Sequence, residues 1–191
     1  MNKWHVFIVG LLVAPTCVLA ARYKVAEDAE DEGRVLTIID RGHRISAPMT
    51  EPDQEGFGQA KVSPDGQTVG WIAETGNCCT SYPLPTVLVL YRHGKVVLRV
   101  PMAPPIFGWA FGPRPGEVVT QQQYPHGQEY FTFTRLRITD GRKLAEYRCN
   151  QDDPDPEPRP PWSRVVDKPC PDYMPPPPDG PEPAATGMPA E

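Results

Sequence analysis

The stretch Val62-Ser63-Pro64-Asp65-Gly66-Gln67-Thr68-Val69-Gly70-Trp71 decides the fold. Its two ends are rich in β-branched and aromatic residues, which favour strands. Between them, Pro64 and Asp65 suit a tight turn, and Gly66 can adopt the positive φ that closes it. Ser63, Pro64, Asp65 and Gly66 are therefore predicted to form a turn that joins two antiparallel strands.

Short apolar runs bounded by glycine, proline or aspartate continue on both sides of this hairpin, and none shows a sustained period of 3.6 residues. The 26 prolines and 16 glycines among 191 residues also disfavour long helices. The fold class is predicted to be all-β. Strands are expected at residues 35–39, 57–62, 68–74, 86–91, 95–100, 117–122, 128–138 and 142–147.

The chain also contains an internal repeat. At an offset of 50 residues, Phe57-Gly58 aligns with Phe107-Gly108, and Gly66 aligns with Gly116. After a contraction of three residues, the hairpin at 92–95 aligns with residues 139–142, and a third copy of it stands at 40–44. Periods of about 40 to 50 residues with four strands each are typical of propeller blades.

The turn motif and its flanking strands resemble the repeat of TolB-type, WD-like bacterial β-propellers, over residues 57–147 and more weakly over 35–47. The resemblance implies a propeller scaffold that binds partner proteins or glycans, without a catalytic residue set common to the family. Two and a half four-stranded units are too few for a closed ring, which needs at least about four. We expect an open stack of propeller-like units. The alternatives are a ring completed by several copies and repeats that depend on disulfides.

Residues 1–20 are predicted to be a secretory signal peptide, with Lys3 before an apolar run at 6–13 and a cleavage site after Ala20. Pro15 interrupts the apolar stretch, which disfavours an uncleaved membrane anchor. A lipoprotein would use Cys17 as its lipidated residue. The expected location is periplasmic or secreted, with no stable membrane insertion after cleavage.

Four cysteines remain after the signal: Cys78, Cys79, Cys149 and Cys170. In an oxidising compartment this even number favours disulfide bonds. Adjacent residues on an extended chain point in opposite directions, so Cys78 and Cys79 are each expected to bond to Cys149 or Cys170, in an order left open. The alternative is a redox or metal site at Cys78 and Cys79.

The remaining chain divides into a β-repeat domain at 21–150 and a tail at 151–191. The tail holds 14 prolines in 41 residues and nine acidic against three basic residues, so we expect it to be disordered. It would act as a spacer or as a solubilising extension. The domain itself balances 15 basic and 15 acidic residues, which gives nucleic acid no basic surface to bind.

No catalytic or cofactor-binding motif occurs in the sequence, and His43 and His93 are expected to be exposed turn residues. Most of the larger aromatic residues are expected in the core or in cross-strand pairs: Trp71, Phe107, Trp109, Phe111, Tyr124, Tyr130, Phe131 and Phe133. The sequence thus favours a non-enzymatic envelope protein that binds a protein or glycan partner, with oligomerisation left open. The alternative is a small envelope redox or metal-binding protein that uses Cys78 and Cys79.

Overall fold

A computed structural model of the chain describes residues 22–27, 34–78, 80–124, 130–150 and 158–166. Within these residues it contains β-strands, one short 3-10 helix and no α-helix, so the all-β prediction is confirmed. The strands are β1 (Tyr23–Glu27), β2 (Leu36–Asp40), β3 (His43–Ser46), β4 (Gln54–Val62), β5 (Val69–Thr75), β6 (Leu84–Arg92), β7 (Lys95–Pro101), β8 (Ile106–Phe111), β9 (Glu117–Gln122), β10 (Tyr130–Arg137) and β11 (Lys143–Asn150).

These strands form three antiparallel sheets, each of which follows the order of the chain. The first sheet is β1-β2-β3, the middle sheet is β4-β5-β6-β7, and the last sheet is β8-β9-β10-β11. The two four-stranded sheets have the same connectivity, as the repeat predicted. None of the three sheets closes on itself, so the expected open arrangement is confirmed.

The middle sheet is buried on both faces. On β5 and β6, Trp71 and Val89 pack with Tyr23 and Ile38 of the first sheet. On the opposite face, Ile72, Leu88 and Leu90 pack with residues of the last sheet that include Trp109. A strand buried on both sides needs apolar residues at successive positions, which explains the continuous apolar runs in β5 and β6.

Around the turn, the hydrogen-bonded register of the strands relates the two units by an offset one residue smaller than the offset in the sequence alignment. The pair nearest the turn is Val62–Val69 in the middle sheet and Phe111–Val118 in the last sheet, an offset of 49 for both strands. Gly66 and Gly116 are therefore the same residue type, but they do not occupy equivalent positions in the two units. Because side chains alternate between faces, a slip of one residue assigns every side chain to the wrong face. The offset-50 alignment is therefore wrong around the turn, whereas Gly58 and Gly108, which pair with the equivalent residues Ile72 and Gln121, keep the offset of 50 because bulges interrupt the first strand of each sheet.

The third copy of the hairpin is a three-stranded unit. Arg41 and Gly42 have φ values of 51° and 88°, and His93 and Gly94 have 54° and 80°. Positive φ at both central positions is typical of the type I′ turn, whose twist matches that of the paired strands. The first sheet therefore corresponds to the second, third and fourth strands of the middle sheet. Its β1 and the later β8 were not predicted as strands.

Trp109 joins the middle sheet to the last sheet. Its indole is fully buried, and its Nε1 donates a hydrogen bond to the carbonyl oxygen of Gln59 at 2.9 Å. The Lys61 ammonium lies over the Trp109 ring and donates to the Trp109 carbonyl oxygen. Gly70 leaves room for the ring, since a Cβ there would stand 2.5 Å from Trp109 Cη2 and 2.7 Å from Leu90 Cδ2.

Part of the proline-rich tail is ordered, which corrects the expectation of disorder throughout residues 151–191. Residues 161–165 form the 3-10 helix, and Trp162 and Val166 pack against Phe133 and Tyr147 of the last sheet. Ser163 is fully buried there. Composition alone had suggested that the tail could bury nothing, but a few apolar residues suffice when a preformed apolar sheet face lies beside them.

Within the described residues, no helix has the length and apolar character needed to cross a membrane. Residues 1–20 lie outside the described ranges, so the signal peptide remains a prediction.

The close fit at Gly70 gives a stability prediction. Gly70→Ala should lower the free energy of unfolding by about 1–3 kcal/mol, because the added methyl group overpacks the joint. Trp109→Phe removes the closer of the two contacts that the methyl would make and leaves space into which the Leu90 side chain can move, so in the double variant Gly70→Ala should cost less. Denaturant unfolding of all four proteins measures this coupling. Additive effects would contradict the proposed contact.

Candidate functional site

The turn motif predicted from the sequence forms a hydrogen-bonded loop. Ser63 Oγ donates to Asp65 Oδ1, and the same carboxylate oxygen accepts from the Gln67 amide at 3.0 Å. The Thr68 amide donates to Ser63 Oγ at 2.9 Å, and Gly66 adopts a φ of 65°. The hydrogen bond from Ser63, and after it the one from the Gln67 amide, lower the pKa of Asp65 below its usual value.

The same turn connects two sheets. The carbonyl oxygen of Gly66 accepts hydrogen bonds from the amides of Arg22 and Tyr23, both at 3.0 Å. At the neighbouring turn, the Gly94 amide donates to the Tyr23 hydroxyl at 3.3 Å. The motif therefore has a structural task, which is to fasten the start of β1 to the middle sheet.

A groove of about 260 Å³ lies between this turn and its counterpart at residues 112–117. Arg92 and Glu117 line it, but Arg92 Nε and Glu117 Oε2 are sealed from solvent and have no hydrogen-bond partner within the described residues. Proline side chains of both turns, including Pro64 and Pro113, also line the groove. Asp65 and Arg114, which are both exposed, also line it.

The cysteines lie in different parts of the fold. Cys149 is buried at 4% exposure in β11 and is disulfide-bonded, whereas Cys78 is exposed in the loop after β5. Cys79 and Cys170 lie outside the described residues. The pairing therefore stays a prediction.

The described residues hold no cluster of three or more side chains suited to bind a metal ion. His43 and His93 are exposed in their turns, as predicted. Beside Cys78, Asn77 orders the loop: its Oδ1 accepts from the Thr80 amide at 2.8 Å, and its Nδ2 donates to Thr80 Oγ1 at 2.7 Å.

A polar cleft of about 240 Å³ opens at the other end of the sheets, where the longer loops lie. The residues 103–104 between β7 and β8 form one side of it. Side chains of the last sheet form the other side. We call the cleft between these two sides the loop-end cleft. Its members from the last sheet and the segment after β9 are Gln122, Tyr124, Tyr130, Thr132, Thr134, Glu146 and Arg148.

The cleft occupies positions at which the repeat would otherwise have core residues. Moving away from the turn, the middle sheet pairs Trp71 with Val89 and then Ala73 with Val87, all facing the first sheet. The corresponding pairs in the last sheet are Thr120–Thr134 and Gln122–Thr132. Polar residues thus replace four apolar ones on the face that the repeat uses for packing. Such departures from a packing pattern are expected at functional sites.

The buried polar side chains of the cleft are arranged by hydrogen bonds. Thr134 Oγ1 donates to Gln122 Oε1 at 2.9 Å, and Thr120 Oγ1 donates to the same oxygen at 3.3 Å. Among the described residues, neither Gln122 Nε2 nor the Thr132 hydroxyl makes a hydrogen bond. The cleft wall therefore holds the Gln122 amide in one orientation and keeps donors available for a ligand.

Charged side chains of β11 form the rim of the cleft. Glu146 accepts from Lys143 Nζ at 2.7 Å and from Arg148 Nε at 3.1 Å. The hydrogen bond from Lys143 is the main reason why the pKa of Glu146 is lowered, and Arg148 adds to this effect. Glu146 is thus an ionised acceptor at neutral pH, beside the largely exposed guanidinium of Arg148.

Two aromatic residues of the cleft correct the sequence prediction. Tyr124 and Tyr130 were expected in the core, but they are 42% and 39% exposed at the cleft. Trp71, Trp109 and Phe133 are fully buried, as expected. Sequence position could have separated these two exposed tyrosines from the buried aromatic residues, because Tyr124 and Tyr130 flank the segment between β9 and β10.

No protein-family model matches the chain, and no curated protein matches it. Among solved structures it is similar to hydrazine synthase from Kuenenia stuttgartiensis, with 15% sequence identity and a TM-score of 0.47. The match covers 68% of this chain and 35% of that chain, so this chain spans about a third of the length of the enzyme chain.

The carboxylate of Asp65 gives a pH-dependent prediction. Its pKa is lowered in the folded protein, so the stability it contributes is present above its unfolded pKa and is lost as the pH falls through its folded pKa. At neutral pH, Asp65→Ala should cost roughly 1 kcal/mol, since two hydrogen bonds of an exposed turn are lost. The difference from the wild type should shrink below about pH 4.

Thermal unfolding at several pH values measures this effect. Asp53→Asn, at an exposed residue outside the turn, is the matched control and should change stability little at any pH. A cost for Asp65→Ala that is the same at neutral and acid pH would contradict the role of the ionised carboxylate.

Proposed function

We propose that the protein is a non-enzymatic binding protein of the cell envelope, secreted or periplasmic, and that it binds an envelope glycan in the loop-end cleft. The observation that carries this proposal is the replacement of four core positions of the repeat by Thr120, Gln122, Thr132 and Thr134. Three of them, Gln122, Thr132 and Thr134, line the cleft, where water or a ligand can satisfy polar groups that would be costly in an apolar core. Their retention there supports a binding role.

The chemistry of the cleft favours a sugar over an apolar ligand. The ionised Glu146 can accept hydrogen bonds from sugar hydroxyls, while Arg148 and the Gln122 amide can donate to ring or carbonyl oxygens. The rings of Tyr124 and Tyr130 are exposed at the same site and offer flat surfaces for the carbon face of a sugar ring. Together these groups match the mixed polar and apolar surface of a saccharide.

The non-enzymatic part of the proposal rests on the composition of the cleft. Its only carboxylate is Glu146, which is paired with Lys143 and Arg148 and has a lowered pKa. Glycoside hydrolysis in most families requires a second carboxyl group and a general acid with a raised pKa. The cleft supplies neither among its described lining residues.

Binding can be tested with a panel of soluble oligosaccharides that carry neutral, N-acetylated or uronic acid units. We expect at least one class to shift the amide resonances of residues 122, 132 and 146 in a two-dimensional NMR titration. Arg148→Ala should weaken binding about 10- to 100-fold, because a hydrogen bond to a charged group is worth about 1.5–3 kcal/mol. Tyr130→Phe should weaken it by a smaller factor.

Arg44→Ala is the matched control, since Arg44 is an exposed arginine on β3 of the first sheet. It should bind the oligosaccharide like the wild type. The sugar should also be recovered unchanged after long incubation. If no class perturbs the cleft residues, or if Arg148→Ala and Arg44→Ala bind equally, the proposed site is wrong. Cleavage of the sugar would contradict the non-enzymatic assignment.

A further inference from the structure

At the turn end of the stack, the space between adjacent sheets is filled differently at the two interfaces. Between the first and middle sheets, Tyr23 is 1% exposed and lies edge-on to Tyr91, with 5.9 Å between the ring centroids. The Gly94 amide donates a hydrogen bond to the Tyr23 hydroxyl at 3.3 Å. A tyrosine ring with a hydrogen-bonded hydroxyl thus closes this end of the first interface.

The strand register identifies Thr68 as the counterpart of Tyr23. Tyr23 pairs with Asp40, which directly precedes the type I′ turn of the first sheet. In the middle sheet Val69 pairs with Tyr91, so Thr68 stands opposite the residue that directly precedes the matching turn. Val69 packs with the first sheet, and because side chains alternate, Thr68 faces the last sheet. Where the first interface has a tyrosine, the second therefore has a threonine.

The second ring of that contact is also replaced in the interface between the middle and last sheets. Counted from the turn, Leu136 is the counterpart of Tyr91, and Phe111 is the counterpart of Val62. The second interface thus holds one ring where the first holds two. The groove of about 260 Å³ between the turns at residues 63–66 and 112–117 lies at this place, and we call it the turn-end groove. Thr68 and Phe111 both line it.

Thr68 brings a buried hydroxyl group to the turn-end groove. The residue is 3% exposed, and its backbone amide donates to Ser63 Oγ. Its hydroxyl makes no hydrogen bond to any residue in the described part of the chain, although the side chain lines the groove. A buried hydroxyl without a partner costs free energy. The groove therefore favours an occupant that forms a hydrogen bond with Thr68.

The walls and the size of the turn-end groove suit one aromatic ring. Pro64, Pro113 and Pro115 line it from the two turns, together with Phe111 and Ile138. Its volume is below the roughly 300–1,000 Å³ of pockets that enclose a whole small-molecule ligand, so it fits a single side chain better. Flat apolar walls beside one buried hydroxyl match a phenol ring, which has an apolar body and one polar end.

Arg114 is the charged side chain of the groove that is open to a partner. Asp65 already accepts two hydrogen bonds within its turn, and Glu117 is 9% exposed and lies 3.9 Å from Arg135. Arg92 is partly buried, with its Nε sealed from solvent. The Arg114 side chain is exposed and makes no hydrogen bond or ion pair with a described residue. A carboxylate next to the bound ring would pair with it.

We propose that the turn-end groove is a docking site for a partner protein, which is anchored by a tyrosine side chain that has an acidic residue beside it. The ring enters between the prolines of the two turns, in the way that Tyr23 fills the preceding interface. Its hydroxyl hydrogen-bonds to Thr68 Oγ1, and the acidic residue pairs with Arg114. Aromatic side chains that fill a pocket commonly supply most of the binding energy of a protein interface.

The test uses the blocked dipeptide acetyl-aspartyl-tyrosine amide, titrated into the full-length oxidised protein. In two-dimensional NMR spectra, we expect shifts at the amides of residues 66, 68, 116 and 138. Phenylalanine in place of the probe's tyrosine should weaken binding about two- to tenfold, since one neutral hydrogen bond is lost. Lysine in place of the probe's aspartate should weaken it by at least as much, and leucine in place of the tyrosine should abolish it.

Variants of the groove separate the two contacts. Thr68→Val removes the hydroxyl and keeps the side-chain shape, so it should bind the tyrosine and phenylalanine probes equally. Arg114→Ala should lose the preference for the aspartate probe over the lysine probe. Arg44→Ala, at an exposed arginine on β3, is the matched control and should change neither preference. Thr68→Tyr places the chain's own ring in the groove and should block every probe. Should that variant fail to fold, the first two carry the test.

The chain itself contains the same chemistry at Asp172-Tyr173, which is the competing occupant of the groove. Tyr173→Ala should leave the groove amides and the affinity for the probe unchanged. If the groove amides shift without any probe and binding tightens, the groove belongs to the chain's own tail, and the assignment to a partner protein is overturned. The proposal is also overturned if the tyrosine probe shifts no groove amide, or if Thr68→Val keeps the preference for tyrosine over phenylalanine.

Discussion

The arrangement of the sheets depends on the packing of the Trp109 ring against Gly70. The indole fills the space between the middle and the last sheet, and its N–H reaches the backbone of β4 at Gln59. Only a residue without a side chain can stand opposite it, because a Cβ at Gly70 would come within 2.5 Å of the ring. Glycine normally weakens a strand interior, and here that cost is offset by the burial of a tryptophan.

The two ends of the stacked sheets differ in structure. At the turn end, short hairpins and the Gly66 carbonyl fasten one sheet to the next. At the loop end, threonine and glutamine stand in the last sheet where the middle sheet has apolar residues. The loop-end cleft lies beside them. The turn end thus carries backbone hydrogen bonds between sheets, and the loop end carries the polar side chains of the proposed binding site. Rigid strands hold the cleft residues, which favours a preorganised site.

An open stack also has a problem that a closed ring avoids, since its terminal sheet keeps an apolar face with no neighbouring sheet. In this chain residues 158–166 pack on that face with Trp162 and Val166. Proline at 160 and 161 suits the task, because it fixes the backbone before docking and so lowers the entropy lost on packing. The proline-rich composition suggested disorder. Over these residues, however, the prolines help a short segment to pack.

The sequence by itself determined the β class, the hairpin at Ser63–Gly66 and the repeated four-stranded units. These follow from local causes: turn chemistry, β-branched runs and glycines that accept a positive φ. β1 and β8 escaped prediction because they are short and their strand character depends on pairing partners distant in the chain. The repeat was detected from identical residues, yet its alignment was one residue off. Identity does not report which face a side chain occupies, whereas the hydrogen-bonded register does.

Only the tertiary structure decided where the candidate site lies. Tyr124 and Tyr130 look like core aromatics in the sequence, and Gln122, Thr132 and Thr134 look like ordinary strand residues. Their role depends on the packing of the last sheet against the middle one and on the loop at residues 103–104 that closes the cleft. The order of residues 158–166 likewise could not be predicted from composition, because a proline-rich segment acquires its structure from the apolar face on which it packs. Local sequence determines the strands and turns, and contacts between distant parts of the chain determine which surfaces they leave open.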